Sequence, residues 1–317
     1  MKLAEIFGAR LKRQEPLSRH TNYRVGGPAD FYLEAKTVVE VATAVKAAQE
    51  DHLPIFVLGG GSNILVSDAG VRGLVLVLNM RKVTVEGTKV IAEAGAVTAA
   101  VANVSAGAGL TGFEWAVGVP GTIGGAVRGN AGCFGGEMKD AVESVDAIDM
   151  RTGQDSKFNI QDSRFAYRES RFKTEPFVVT SVTLSLSKGD APTALAAIKD
   201  FMSRRKEKQP LEYSSAGCIF KNFEFADSTS LDARLRAILP QEFVDARRIP
   251  AGWLIDRVDI KGTRIGDALI SEKHGNFFVN AGNASAEQII ELISLAKMKV
   301  RDAFGVQLQD EIQLVGF

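Results

Sequence analysis

Between residues 37 and 52 the apolar positions Val38, Val41, Ala42, Val45 and Ala48 recur at helical spacing with charges between them, which predicts an amphipathic helix. It leads through Leu53 and Pro54 into IFVLGGGSNILVSD, which reads as a short apolar strand, a glycine turn and a second apolar run. Residues 74–94 alternate β-branched and polar side chains around Glu86 and Gly87, the pattern of a hairpin. A helix is expected over 96–108. Residues 109–136 then hold ten glycines, too many for an ordinary helix or strand, because each glycine loses more backbone freedom on folding than any other residue.

Strand patterns follow at 144–150 and 177–187, and residues 192–210 read as a helix ending in a basic stretch before Pro210, where a domain boundary is expected. Further on, strand signals recur at 218–223, 276–280 and 311–317. Residues 285–305 form a long amphipathic pattern opened by Ser285 as an N-cap. No internal repeat is evident. The alternation of elements indicates an α+β or α/β protein.

A chain of 317 residues exceeds the usual size of one hydrophobic core, so two or three packed subdomains are expected. Lys plus Arg is 38 and Asp plus Glu is 38, which leaves no overall field to attract nucleic acid or an anionic membrane; an anionic ligand must be held locally. The opening residues MKLAEIFGARLKRQEPL carry scattered charges and no apolar stretch with a cleavage site, so no secretory leader is expected. No apolar run approaches the roughly 20 residues of a membrane helix. The two cysteines, Cys133 and Cys218, are too few for a disulfide framework and are not spaced as a metal site. A soluble, cytoplasmic protein without a structural metal is predicted.

Gly59, Gly60, Gly61, Ser62 and Asn63 directly follow the strand 55–58, where backbone free of side chains can turn its N–H groups toward a pyrophosphate. Alone, the triplet fits a phosphate cradle and a tight turn about equally. It is neither GxGxxG nor GxxxxGK[ST], so neither a Rossmann site nor a P-loop is supported. The second cluster, GVPGTIGGAVRGNAG over 118–132, combines a proline-fixed turn with close glycines, Thr122 and Asn130. Together the two clusters fit a surface wrapped around an extended cofactor, where side chains would collide.

TNYRVGGPADFYLEA around Asn22, then GGGSN, GVPGTIGGAVRGNAG, YRES, SSAGCIFKN, IPAGWLID, IKGTRIGDALISEKHGNFFVN and LQDEIQLVG occur in one order from about Arg19 to Gly316. In that order the chain resembles the UDP-N-acetylenolpyruvoylglucosamine reductase family. The resemblance implies an α+β fold, with a two-part FAD-binding region of the PCMH type followed by a smaller α/β substrate-binding domain. The expected domains are residues 1–208, with a PCMH-type core at about 22–187, and residues 209–317. It also implies FAD and NADPH as cofactors, a UDP-sugar as substrate, a role in peptidoglycan synthesis, and no obligate protein partner. In such an enzyme NADPH reduces FAD, and hydride then reaches the enolpyruvyl group to give UDP-N-acetylmuramate.

For this chain the resemblance implies that Asn22, Gly59, Gly60, Gly61, Ser62, Asn63, Gly118, Val119, Pro120, Gly121, Thr122, Gly124, Gly125, Ala126 and Asn130 hold FAD. It also implies that Arg168, Cys218 and Glu311 are catalytic. Arg168 would grip the substrate carboxylate through its guanidinium fork; on residue type alone it reads as a surface arginine beside Glu169 or Asp162. Cys218 stands where the family most often has a serine proton donor, and a thiol is a stronger acid than an alcohol. On its own it reads as a small buried thiol. Glu311 would assist protonation, with Asp310 as its rival where the family usually has proline. Tyr167, Lys221, Asn222, Lys261 and His274 would contact substrate.

Residues 223–248 are longer than the family commonly shows between FKN and IPAGWLID and read as an insertion, while the chain length suits the shorter subtype without a tyrosine lid. Two other readings remain open on the residues: a different flavoprotein oxidising a hydroxy acid or alcohol, and a nucleotide-sugar binding protein without turnover.

Overall fold

The computed structural model describes all 317 residues. The chain forms two compact units, one from Met1–Glu15, Ala29–Gly60 and Val71–Glu207, the other from Pro16–Pro28, Gly61–Gly70 and Lys208–Phe317. The long segment of the second unit starts beside Pro210, but the division is not a single cut of the chain, because two short excursions from the N-terminal half join it.

The first unit has two layers of sheet. One sheet has four strands in the order Lys12–Pro16, Pro28–Ala35, Val71–Leu78 and Ile55–Leu58, and the last three run parallel. The helix Val38–Glu50 links two of them, as parallel pairing requires. Its Thr37 hydroxyl accepts the Glu40 N–H at 3.1 Å, a capping bond that fixes where the helix begins. Val41, Ala44, Val45, Ala47 and Ala48 pack against Leu33, Leu74 and Leu76, whereas Val38, first after the cap, stays exposed.

The other sheet is antiparallel, in the order Asp155–Asn159, Val142–Asp149, Phe177–Ser185, Lys89–Glu93 and Val83–Glu86. The expected hairpin closes at Glu86 and Lys89, with Gly87 at a positive φ of 62°. Thr98–Gly107, Ile123–Arg128 and Ala191–Lys208 all contribute residues to this sheet's apolar core. The last helix ends just before Pro210, as the basic stretch predicted.

In the second unit Ser214–Cys218, Phe277–Asn280, Ala268–Ile270 and Arg264–Ile265 form a four-stranded sheet backed by the helix Ala286–Phe304. Ser285 and Gln288 close that helix's capping box. The excursions are tied in by side chains the hydropathy pattern could not assign. Tyr23 is fully buried and donates its hydroxyl to the Phe278 carbonyl at 2.7 Å, and Asp68 accepts the Ala286 N–H at 2.9 Å at the helix start. Strand Ile64–Val66 pairs in parallel with Gln313–Val315. Residues 223–248 include the short helices Ala233–Ile238 and Gln241–Ala246, and Leu235 is buried in this unit's core. No helix is long and apolar enough to cross a membrane.

Candidate active site

In the first unit the strand Ile55–Leu58 delivers Gly59 and Gly60 against the turn before the short helix Ile123–Arg128. A Cβ on Gly60 would lie 2.5 Å from the Gly121 Cα, and one on Gly59 would lie 2.9 Å from the Thr122 Oγ1. Gly124 meets Ala94 at 2.8 Å in the same way, and Gly118 meets Phe134 at 2.7 Å. These glycines are therefore required by the protein's own packing. The glycine-rich run, expected to form a surface around a cofactor, thus also lets neighbouring segments approach closely, backbone against backbone at Gly60 and Gly121 and against side chains at Gly59, Gly118 and Gly124. Val119 and Ala126 likewise put their side chains into the core rather than onto a ligand surface. Pro120 sits in the turn between them, where its ring fixes φ.

Gly125 is different. Its Cβ position has only the Thr122 Oγ1 nearby, at 3.5 Å, and it lines a cleft of about 180 Å³ together with Gly59, Thr122, Gly124, Arg128 and Lys173. Thr122 heads the short helix, but its side chain makes no capping bond there. Arg128 was not anticipated as a site residue. Burial lowers its pKa below the usual arginine range against the opposing field of Glu169, so this cleft carries a desolvated cation. The signal in the sequence was one cation inside an otherwise small, uncharged run, GGAVRGN. The cleft lining also holds the Glu175 carboxylate and apolar side chains such as Phe56, Phe172 and Val179, so a hydroxyl and two cations stand beside a largely apolar wall, a mixture that fits the phosphates and rings of a bound dinucleotide.

Tyr167 and Arg168 form a two-residue turn whose flanks, Ala166 and Glu169, exchange both backbone hydrogen bonds at 3.0 and 3.1 Å. Arg168 has a φ of +58°, left-handed backbone that non-glycine residues adopt at a cost on the order of 1 kcal/mol. Its Nη2 donates to the Gly132 carbonyl at 3.1 Å, its guanidinium carbon lies 5.2 Å from the Tyr167 ring centre, and Lys173 Nζ donates to its carbonyl at 2.9 Å. Asn130, expected to touch the cofactor, is instead fully buried with its amide engaged inside the protein. Nearby Cys133 is pushed up to about 11 by burial, which outweighs the fields of Arg205 and Arg168.

The remaining residues lie in the second unit. Gly61 has a φ of +63°, and a Cβ there would sit 2.2 Å from the His20 carbonyl oxygen, so only glycine fits this turn. Its carbonyl accepts the Asn22 N–H at 2.9 Å, which fastens the exposed Asn22 to the GGGSN turn. Ser62 follows, half-buried. Asn63 Nδ2 donates to the Glu311 carbonyl at 3.1 Å, so this amide serves the terminal segment as well as the turn.

Cys218 ends the strand Ser214–Cys218 opposite Phe277, after a register shift that follows Ser215. Gly217 takes a φ of +79° with open space at its Cβ position, so the irregularity re-aims the half-buried thiol. The Glu311 N–H donates to the Ile219 carbonyl at 2.7 Å, setting the Glu311 backbone beside that of Cys218. Asp310 is occupied elsewhere: one carboxylate oxygen meets Lys297 Nζ at 2.7 Å and the other is buried without a hydrogen-bond partner.

Asn276 was missed by sequence reasoning. It accepts the Phe220 N–H at 2.9 Å and donates to the Phe220 carbonyl at 2.8 Å, holding the segment behind Cys218 as a neighbouring strand would. Lys221 is tied to the terminal segment through its N–H, which donates to the Gln309 carbonyl at 2.8 Å.

Asn222, His274 and Lys261 gather around the helix Ala251–Arg257. Asn222 Oδ1 accepts the Ala251 N–H at 3.2 Å, His274 Cε1 lies 3.2 Å from where a Gly252 Cβ would be, and Lys261 Nζ pairs with Asp256 at 3.3 Å. His274 Nδ1 accepts the Asn276 N–H at 3.2 Å. Burial lowers its pKa, with Asp256 opposing, so the ring is held neutral with its proton on Nε2.

Residues 29–156 match the family model described as FAD binding domain, and residues 209–315 match UDP-N-acetylenolpyruvoylglucosamine reductase, C-terminal domain. The chain is 39% identical over 323 residues to the UDP-N-acetylenolpyruvoylglucosamine reductase of Caldanaerobacter subterraneus subsp. tengcongensis, covering 99% of this chain and 97% of the relative. The corresponding protein of Clostridium novyi is 38% identical over 307 residues, covering 96% and 92%. The crystal structure of UDP-N-acetylenolpyruvylglucosamine reductase from Thermus caldophilus superimposes with a TM-score of 0.77 at 32% identity, covering 96% of this chain and 99% of that one. With FAD-binding and reductase-specific regions both matched and full-length relatives well above 30% identity, the chain belongs to the UDP-N-acetylenolpyruvoylglucosamine reductase family of FAD-dependent oxidoreductases.

Proposed function

We propose that Arg168, Cys218 and Glu311 carry out, in this chain, the NADPH-dependent reduction of UDP-N-acetylglucosamine enolpyruvate to UDP-N-acetylmuramate that its family performs. Bound FAD supplies the hydride, obtained from NADPH. Addition at the β-carbon of the enolpyruvyl group leaves negative charge on the α-carbon, shared with the adjacent carboxylate. Arg168 binds that carboxylate through two N–H groups and stabilises the charge as it grows. Its fixed backbone means that little reorganisation is needed when the charge appears.

Cys218 then gives its Sγ proton to the α-carbon, completing the reduction, and the thiolate is reprotonated from water. Glu311 orients the donor and helps return its proton. Neutral His274, with Asn222, Lys221 and Lys261, holds the UDP-sugar through its diphosphate and hydroxyl groups, and Tyr167 packs beside the reacting group. Gly59, Thr122, Gly125 and Arg128 would hold FAD along the cleft, and Asn22, Gly61, Ser62 and Asn63 would bind it from the turn. Residues 1–208 serve mainly as the cofactor-binding region and 209–317 as the substrate-binding domain. A cytoplasmic enzyme of cell-wall precursor synthesis, with consequences for cell shape and division, follows from that reaction.

The observation that carries the proton-transfer reading is the 2.7 Å bond from the Glu311 N–H to the Ile219 carbonyl, which keeps the backbone bearing the Glu311 carboxylate beside the residue that follows Cys218. Anaerobic stopped-flow tests it. NADPH reduces the flavin in wild type, Cys218→Ser and Cys218→Ala alike. Reoxidation by the enolpyruvyl sugar stays rapid in wild type and Cys218→Ser but falls by about 100-fold or more in Cys218→Ala. Equal reoxidation in the alanine variant removes Cys218 as the proton donor.

A further inference from the structure

We infer that Asn130 is a positioning residue for Arg168, governing the reduction of substrate without touching substrate or cofactor. The inference rests on Arg168 being the carboxylate-binding group. Asn130 is fully buried and, at a φ of +41°, itself sits in left-handed backbone. Its Nδ2 donates twice, to Glu137 Oε2 at 3.0 Å and to the Ala166 carbonyl at 2.8 Å, and its Oδ1 accepts the Lys139 N–H at 3.0 Å. Both amide donors are spent, so nothing remains to donate to a ligand.

The bond to Ala166 matters most, because Ala166 is the first residue of the turn that presents Arg168. Backbone with positive φ at a residue such as arginine persists only where its surroundings over-determine it. Here the turn is held at both ends, by Asn130 on the Ala166 carbonyl and by Lys173 on the Arg168 carbonyl at 2.9 Å. The guanidinium is steadied in turn by the Gly132 carbonyl, two residues beyond Asn130. One short segment therefore fixes the root of the turn through the side chain of Asn130 and the tip of Arg168 through the backbone of Gly132. Released from Asn130, the turn and the acceptor for the guanidinium lose their common register.

Asn130→Asp in a Glu137→Gln background isolates the Ala166 bond. The amide introduced at position 137 can donate to the carboxylate introduced at position 130, and the Lys139 N–H still has an acceptor. Of the bonds made by residue 130 only the one to the Ala166 carbonyl is lost, leaving that carbonyl the Glu169 N–H alone, and residues 130 and 137 do not face each other as two carboxylates. Asn130→Gly, which accepts positive φ freely, is the second variant and deletes the whole amide. Each is compared with wild type, with Glu137→Gln and with Arg168→Ala. The expected result is retained flavin, NADPH reduction of the flavin within about twofold of the reference, and reoxidation by the enolpyruvyl sugar slowed about tenfold or more.

Unchanged reoxidation, equal slowing of both half-reactions, or loss of flavin or folding in both variants would overturn the inference, since each makes Asn130 a general support of the fold. Arg168→Ala separates this failure from that of the reading beneath it. If Arg168→Ala itself leaves reoxidation intact, the carboxylate assignment falls, and with it the inference; if it abolishes reoxidation while both Asn130 variants are normal, only the role of Asn130 falls.

Discussion

Asn63 donates its side-chain amide to the main-chain carbonyl of Glu311 at 3.1 Å, across 248 residues of sequence. The Gln313 N–H returns a bond to the Asn63 carbonyl at 3.1 Å, and parallel pairing of Ile64–Val66 with Gln313–Val315 continues from there. The GGGSN turn, read in the sequence as a cofactor cradle, thus also registers the terminal segment on which Glu311 stands. Asn63→Ala is expected to slow flavin reoxidation by the enolpyruvyl sugar by about 3- to 10-fold, the kinetic equivalent of one net hydrogen bond. Stopped-flow absorbance checks it, with NADPH reduction as the internal control. An effect confined to flavin affinity would restrict Asn63 to the cofactor.

Two glycines of the first unit separate packing from ligand binding. Gly60→Ala forces a Cβ to within 2.5 Å of the Gly121 Cα, backbone against backbone, whereas a Cβ at Gly125 meets only the Thr122 hydroxyl at 3.5 Å. Gly60→Ala is expected to cost about 1–3 kcal/mol of stability as an overpacking substitution. Gly125→Ala should hold or raise the flavin-free protein's urea midpoint, because alanine loses less backbone freedom in a helix, and should weaken flavin binding, because the added methyl projects into the cleft. Urea unfolding and flavin titration on the two variants test this. A destabilised Gly125→Ala would place Gly125 with the packing glycines.

Local pattern carried most of the elements, and long-range pairing carried what it missed. The helix after Thr37, the hairpin at Glu86 and the 19-residue capped helix after Ser285 are each written within one continuous local stretch of chain, where periodicity and capping chemistry act. The excursions of Tyr23 and Asp68 into the second unit depend on partners more than 200 residues away, and no local signal names them. The candidate site divides in the same way. Glycine density announced a cofactor surface, but which glycines face a ligand depends on what stands opposite each one. Polar residues such as Asn130 and Asn276 look alike in the sequence whether they bind ligand or hold backbone; here their side chains hold backbone.

The two cysteines should differ sharply toward alkylating reagents. Burial holds the Cys133 thiol up to about 11, and its Sγ–H donates to the Trp115 carbonyl at 3.0 Å. At pH 8 only about one part in a thousand of Cys133 is thiolate, the reactive form. Iodoacetamide at that pH should therefore label Cys218 first, and the enolpyruvyl sugar should protect it. Peptide mapping by mass spectrometry reads both outcomes. Preferential labelling of Cys133 would mean that its surroundings open in solution.

His274 should impose a pH dependence on stability. Its folded pKa lies below the usual 6.5 because burial disfavours the charged ring, which outweighs the attraction of Asp256. A base whose pKa is depressed on folding binds fewer protons folded than unfolded, so its contribution is complete above the unfolded value near 6.5 and is lost as pH falls through the folded value. Charging the ring also removes the Nδ1 lone pair that accepts the Asn276 N–H, and Asn276 braces both backbone groups of Phe220. Wild type should therefore lose stability between pH 7 and 5 more steeply than His274→Gln. Substrate affinity should strengthen over the same interval if His274 faces the diphosphate of the UDP-sugar, since the charged ring keeps its Nε2–H donor and adds a positive charge. Urea midpoints across that range for the two proteins, with substrate titrations beside them, decide the point; parallel slopes would show that the ring titrates alike in the folded and unfolded chain.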